Sequence, residues 1–145
     1  MQLLLKSEAN IKTQCGSYGI ALQVASLGEY DKAVQMLLDN EADVNTKSGY
    51  YGTALQAASS RGHEKVVQTL LNNGANINAQ CGYYGTALQV ASSRGHDKAV
   101  QMLLNNKVDV NAKSKPYDIA LQAALSKEHE KIVQTLLNNG ADVNA

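Results

Sequence analysis

The sequence predicts an all-α solenoid, in which short helix pairs stack in a row and share one continuous core. Two observations predict it. The octet GYYGTALQ occurs at Gly49–Gln56 and again 33 residues later at Gly82–Gln89. Sliding the chain by the same 33 positions aligns GSYGIALQVAS, GYYGTALQAAS, GYYGTALQVAS and KPYDIALQAAL, which begin at Gly16, Gly49, Gly82 and Lys115. The later halves align as well: DKAVQMLLDNEADVN, EKVVQTLLNNGANIN, DKAVQMLLNNKVDVN and EKIVQTLLNNGADVN. A repeat period between 20 and 50 residues signals a stacked array rather than a set of duplicated sites.

The repeat divides the 145 residues into a half unit at 1–15, units at 16–48, 49–81 and 82–114, and a nearly full unit at 115–145. All five belong to a single domain. Within a unit, Thr53 or Thr86 can cap a first helix by accepting from an early backbone N–H. The segment ALQAASS supplies good helix formers, and Ala57 and Ala58 permit close helix contact. Arg-Gly-His then breaks the chain. An acidic residue follows at 31, 64, 97 and 130, where negative charge suits a helix N-terminus. In KVVQTLL, Val66, Val67, Leu70 and Leu71 form one helical stripe. Asn73-Gly74 and Asn139-Gly140 end that helix with a residue tolerant of the left-handed conformation. Helices this short are marginal alone, so stacking must supply their stability.

A finer alternation overlies the repeat. Units ending Gln14-Cys15 and Gln80-Cys81 alternate with units ending Lys47-Ser48 and Lys113-Ser114. The second helices alternate in step, with Ala33/Met36 and Ala99/Met102 against Val66/Thr69 and Ile132/Thr135. Positions three apart are helix neighbours, so small pairs with large and medium with medium. This conserves volume in a packed layer and points to duplication of a 66-residue pair.

Composition excludes several function classes. Hydrophobic residues make up 44% and the formal charge is zero, so no bulk attraction to nucleic acid or anionic membrane is expected. No apolar run approaches the roughly 20 residues of a membrane span. The opening MQLLLKSEAN lacks the features of a secretory leader. Two cysteines, Cys15 and Cys81, suit a reducing compartment, which predicts an intracellular protein, cytoplasmic or nuclear.

Catalytic and metal chemistry find no support. His63, His96 and His129 form a periodic column, but stacked helices lie about 8–10 Å apart and zinc ligands about 2 Å from their ion. The column cannot converge on a metal. Cys15 and Cys81 lie two layers apart, on the order of 20 Å by the same spacing, beyond disulfide reach. Ser26, Ser59, Ser60, Ser92 and Ser93 recur with the period and lack a positioned base. No phosphate loop or dinucleotide fingerprint occurs. The sequence predicts no enzyme and no cofactor.

GTALQAASSRGHEKVVQTLLNNGANINAQ closely resembles an ankyrin repeat, whose usual unit carries Thr-Pro-Leu-His, a Gly-His turn and a final GADVNA. The resemblance spans essentially the whole chain. It implies antiparallel helix pairs with hairpin loops projecting at about a right angle, stacked into a curved solenoid with a concave binding face. The YGTALQAAS variant is similar to ankyrin arrays of large fungal proteins, often joined to a nucleotide-binding module. There are departures. The usual Pro is Ala21, Ala54, Ala87 or Ala120, and the usual His is Gln23, Gln56, Gln89 or Gln122. A Gln amide both donates and accepts, so these four could form a ladder between units. Tyr51 or Tyr84 stands where the family has the hairpin glycine. The first unit has Gly28-Glu29-Tyr30 in place of Arg-Gly-His, and the last has Asp118 and Glu128 in place of glycines.

The tyrosine slot at Tyr18, Tyr51, Tyr84 and Tyr117 is invariant within the chain and reads as packing. The slot before it varies through Ser17, Tyr50, Tyr83 and Pro116, and an exposed, variable loop position is where a partner is met. Carried over from the family, the helix-end contact sites are Leu27, Ser60, Arg61, Ser93, Arg94, Ser126 and Lys127. The loop sites are Lys47, Gln80, Lys113 and Lys115. Together they predict a positive, tyrosine-lined groove, with most specificity in Gly49–Ser114.

The resulting expectation is a non-catalytic protein–protein interaction module that binds a protein partner through its concave face and hairpin tips. The alternative is a targeting or autoinhibitory arm of a larger enzyme or nucleotide-binding signalling protein. Neither nucleic acid nor membrane is an expected partner. Met1–Leu5 reads as the inside of a helix and 141–145 as part of a loop. The reading is thus a window of a longer array that self-associates through uncapped ends.

Overall fold

The computed structural model describes residues 17–83, 85–115 and 117–144, with side chains from Ile20 onward. The expected helix at Met1–Leu5 and the first cysteine, Cys15, lie outside the described residues.

Eight helices are present among the described residues, two per unit. The first helices are α1 (Ser17–Leu27), α3 (Ala54–Arg61), α5 (Ala87–Ser93) and α7 (Ala120–Ser126). The second helices are α2 (Asp31–Asp39), α4 (Glu64–Asn72), α6 (Asp97–Asn105) and α8 (Glu130–Asn138). Each first helix packs on the next unit's first helix, each second on the next second, and the two helices of a unit pack on each other. This is the stacked arrangement that the period predicts.

The core repeats with the sequence. Leu22, Leu55, Leu88 and Leu121 form one buried column on the first helices, and Ala25, Ala58, Ala91 and Ala124 form the next. Leu37, Leu70, Leu103 and Leu136 form a third on the second helices. The small alanines let first helices approach closely, while the leucines fill the space between first and second helices. All belong to one continuous hydrophobic cluster. The stacking of each unit on its neighbours therefore supplies what a helix of seven to eleven residues lacks alone.

Capping follows the sequence where threonine is present. Thr53 Oγ1 accepts from the Gln56 backbone N–H at 3.2 Å, while Gln56 Oε1 accepts from the Thr53 N–H at 2.8 Å. This reciprocal pair starts α3. Thr86 starts α5 with half of this pair, accepting from Gln89 N–H at 3.1 Å. Ile119 replaces the threonine before α7 and makes no side-chain cap; it is buried instead. Ile20 holds the corresponding place in the first unit, and there α1 runs through it and begins as early as Ser17. The segment aligned with the later hairpins is helical here, although Ile119, equally without a threonine, still precedes a helix that begins at Ala120.

The loops between units are narrower than full β-hairpins. Among the described residues antiparallel pairing is limited to single bridges, Ser48 with Gly52 and Ser114 with Asp118. In the first of these, Gly49 (φ 60°) and Gly52 (φ 82°) reverse the chain within four residues and leave no length for a ladder.

The Gly-His turn has a steric logic. Gly62 is left-handed (φ 68°), and a Cβ there would lie 2.6 Å from Nδ1 of His96 in the next unit. Glu29 takes the same left-handed conformation in the first unit (φ 59°). The following histidine, His63, meets its carboxylate, with Nδ1 2.7 Å from Glu29 Oε2.

Candidate functional site

The residues available to a partner are defined by those already committed to the scaffold. Each turn histidine donates from Nε2 to a backbone carbonyl of the preceding unit: His63 to Leu27 (2.9 Å), His96 to Ser60 (3.0 Å) and His129 to Ser93 (3.1 Å). Those three carbonyls lie at or near the C-terminal ends of α1, α3 and α5, where helix acceptors lack intrahelical partners. The histidine column is thus a set of unit-to-unit clamps.

The glutamines form a second set. Gln23 Nε2 donates to the Gly52 carbonyl at 2.8 Å, Gln89 Nε2 to the Asp118 carbonyl at 2.9 Å, and Gln56 Nε2 to the Gly85 carbonyl and to the Cys81 carbonyl at 2.8 Å. The ladder exists, but its rungs run from side chain to backbone rather than between amides. Each Gln ties its own helix start to the next loop. Cys81 belongs to this joint, its Sγ donating to Gln56 Oε1 at 3.1 Å. Burial pushes the Cys81 thiol up from its ordinary value, against smaller lowering effects of Lys47 and the Gln56 hydrogen bond. That environment disfavours the thiolate and makes Cys81 a poor nucleophile.

Asparagines staple the outer loops. Asn45 Nδ2 donates to the Gly74 carbonyl at 3.1 Å, and Asn45 Oδ1 accepts from Asn76 N–H at 2.6 Å. Asn111 repeats both bonds with Gly140 and Asp142.

Two exposed surfaces lie beside these joints. The first is a groove of about 570 Å³ along the ends of the first helices, lined by Ser60, Arg61, Ser93, Arg94, His96, Lys127 and His129. None of these lining residues is acidic. Arg61, Arg94 and Lys127 are exposed and occupy one position in three successive units, so they form a column of cations. The second surface is at the loop tips. Tyr50 and Tyr83 stack with centroids 4.9 Å apart and planes 9° from parallel, yet remain 53% and 59% exposed. Tyr51 meets the edge of Tyr50 at 5.4 Å, and Tyr83 N–H donates to the Tyr50 carbonyl at 2.7 Å.

A family model for ankyrin repeats in three copies matches residues 1–81 and 79–145. The chain belongs to the ankyrin repeat family. No curated protein sequence matches it. Ankyrin repeats are in general protein–protein interaction modules, and the ankyrin fold is generally non-catalytic. Among the described residues no helix is long and apolar enough to cross a membrane.

Within this ankyrin array the expected contact residues divide into groups. Ser60, Arg61, Ser93, Arg94 and Lys127 meet in the groove. The two serines form its floor: both are buried, and their hydroxyls donate to Ala57 and Val90 carbonyls in their own helices. Lys113 and Lys115 meet at a separate depression of about 360 Å³ with Ser114 and Asp118. Lys47 and Gln80 are exposed on the loops near Cys81, and Ser126 is exposed at the end of α7. Leu27 is half-buried. Ser17 opens helix α1 rather than a loop tip, and Pro116 lies outside the described residues, as does Tyr84 of the packing slot. His96 and His129 were legible as turn residues but not as groove walls; their bonds to the Ser60 and Ser93 carbonyls, 36 residues earlier, bring them there.

Proposed function

We propose that this ankyrin array binds a protein partner through the groove along its first-helix ends and through the Tyr50–Tyr83 loop tips, and that it performs no catalysis. The observation that carries this reading is the division of labour within each unit. Histidine, glutamine and asparagine hold neighbours together through backbone bonds, whereas Arg61, Arg94, Lys127, Tyr50 and Tyr83 stand exposed on the same repeating positions. Arginine and tyrosine are the residues that dominate protein hot spots. The use of only two cysteines supports an intracellular reading, in cytoplasm or nucleus.

The test is affinity capture with the wild-type chain and with a Tyr50→Ala/Tyr83→Ala/Arg61→Ala/Arg94→Ala variant, quantified by mass spectrometry. All four side chains are exposed, and an unchanged helical circular dichroism signal checks that the variant is folded. Loss of captured proteins by the variant supports the reading. Unchanged capture removes the site.

A further inference from the structure

The cations of the groove are spaced by the repeat itself, and that spacing selects a ligand geometry. Arg61, Arg94 and Lys127 are 33 residues apart in sequence and one layer apart in space. Packed helices lie about 8–10 Å apart. A bound peptide that meets every cation must therefore present one anionic side chain about every 9 Å on a single face. A β-strand does not meet this requirement. It rises about 3.3 Å per residue with alternating faces, so its same-face side chains recur at about 6.6 or 13 Å. The polyproline II conformation does. With three residues per turn and about 3.1 Å rise, it returns every third side chain to one face at about 9.3 Å.

The groove also lacks what a strand would need. Among the described residues, bridges occur only at Ser48–Gly52 and Ser114–Asp118, so no free sheet edge is offered for pairing. A polyproline II chain has no internal or lateral backbone hydrogen bonds to satisfy and stays solvated in an open groove. The groove is open and its lining is mostly apolar, with the Ser60 and Ser93 carbonyls at the helix ends already bonded.

We infer that the groove binds an acidic segment in the polyproline II conformation, with carboxylate or phosphate side chains at every third residue opposite Arg61, Arg94 and Lys127. This rests on the concave-face reading above and adds the register and chemistry of the ligand. Arg94 takes the central anion, and its planar guanidinium suits bidentate recognition of either group. Nucleic acid fits less well. Three cations on a chain of zero formal charge release few counterions, and the exposed tyrosines already stack on each other.

Fluorescence anisotropy with three probes of equal label tests this on the 145-residue chain. The first is a nonapeptide of Glu-Pro-Pro repeated three times. The second has the same composition with its three glutamates contiguous. The third is oligothymidylate. We expect the periodic peptide to bind about tenfold more tightly than its isomer, three well-placed pairs against one. Arg94→Ala should weaken it about threefold or more and Lys127→Ala should weaken it less, with melting temperatures unchanged. A phosphoserine-for-glutamate version distinguishes the two anions. Equal binding of the two isomers overturns the register, and tighter binding of oligothymidylate overturns the ligand class. If both peptides fail while captured proteins still depend on Arg61 and Arg94, this inference falls and the concave-face reading stands. Capture indifferent to those substitutions removes that reading itself.

Discussion

Gln23 donates its side-chain amide to the backbone carbonyl of Gly52, 2.8 Å away and 29 residues on in sequence. The same bond recurs from Gln56 to Gly85 and from Gln89 to Asp118. It sits where the family usually carries histidine, and it makes each loop conditional on the helix before it.

Gln56 is therefore expected to be the most sensitive polar residue of the array. It is 1% exposed, caps α3 through Thr53, and donates to two carbonyls of the next loop. Gln56→Leu keeps the volume but orphans the Cys81 carbonyl and takes one bond each from the Thr53 N–H and the Gly85 carbonyl, which are left with Tyr51 and Cys81 as partners. Leaving a buried group unsatisfied costs about 1–3 kcal/mol each, with partial relaxation. The expected loss is about 3 kcal/mol, read as a lower midpoint in urea unfolding. Gln35→Leu serves as the control, since Gln35 is exposed and bonds only Asp39 within its own helix. A change under about 0.5 kcal/mol is expected there.

The Tyr50–Tyr83 stack should show a small but measurable coupling. Parallel aromatic pairs contribute about 0.5–1.5 kcal/mol beyond area burial. Both rings are more than half exposed, so the lower end applies. A double-mutant cycle of Tyr50→Ala and Tyr83→Ala should give a coupling near 0.5 kcal/mol in thermal unfolding. Additive effects would mean that the rings act independently.

Much of this architecture was legible because its causes are local and periodic. Thr53 and Thr86 cap as their positions predict, the acidic residues at 31, 64, 97 and 130 open the second helices, and the histidines stay apart. Three features were not legible, each for a physical reason. The extension of α1 to Ser17 breaks the periodicity on which the sequence reading rests, and the missing threonine does not signal it, because Ile119 lacks one too and α7 still begins at Ala120. The burial of Ser60 and Ser93 arises from the next unit's histidine clamping their carbonyls, a contact 36 residues away. The glutamine rungs could be expected between units, but their acceptors are backbone atoms, which sequence does not name.

The left-handed residue after each second helix offers a gain in stability. Gly74 and Gly140 have φ of 90° and 91°, whereas Lys107 takes φ 63° at the matching place in the third unit. A side chain in this region costs about 1–2 kcal/mol relative to glycine, partly offset by the greater freedom of glycine in the unfolded chain. Lys107→Gly is expected to stabilise by about 1 kcal/mol, seen as a raised urea midpoint with an unchanged slope. Gly74→Lys is expected to do the reverse.

Cys81 should report the integrity of the joint between loops. Its half-buried thiol titrates above the ordinary value of 9.0, chiefly because burial disfavours the thiolate. The folded state then holds its proton more tightly than the unfolded state does. Stability from this group is full below the unfolded value and is lost as pH rises through the folded one. A Cys15→Ser chain should therefore lose stability above about pH 9 more steeply than a Cys15→Ser/Cys81→Ser chain. The loop should also resist modification. Iodoacetamide at pH 8 should alkylate Cys81 slowly in the folded chain and faster after Gln56→Leu, which removes the Sγ partner and loosens the loop. Peptide mass spectrometry over a time course checks this. Equal rates in both chains would show that the glutamine does not govern access to the thiol.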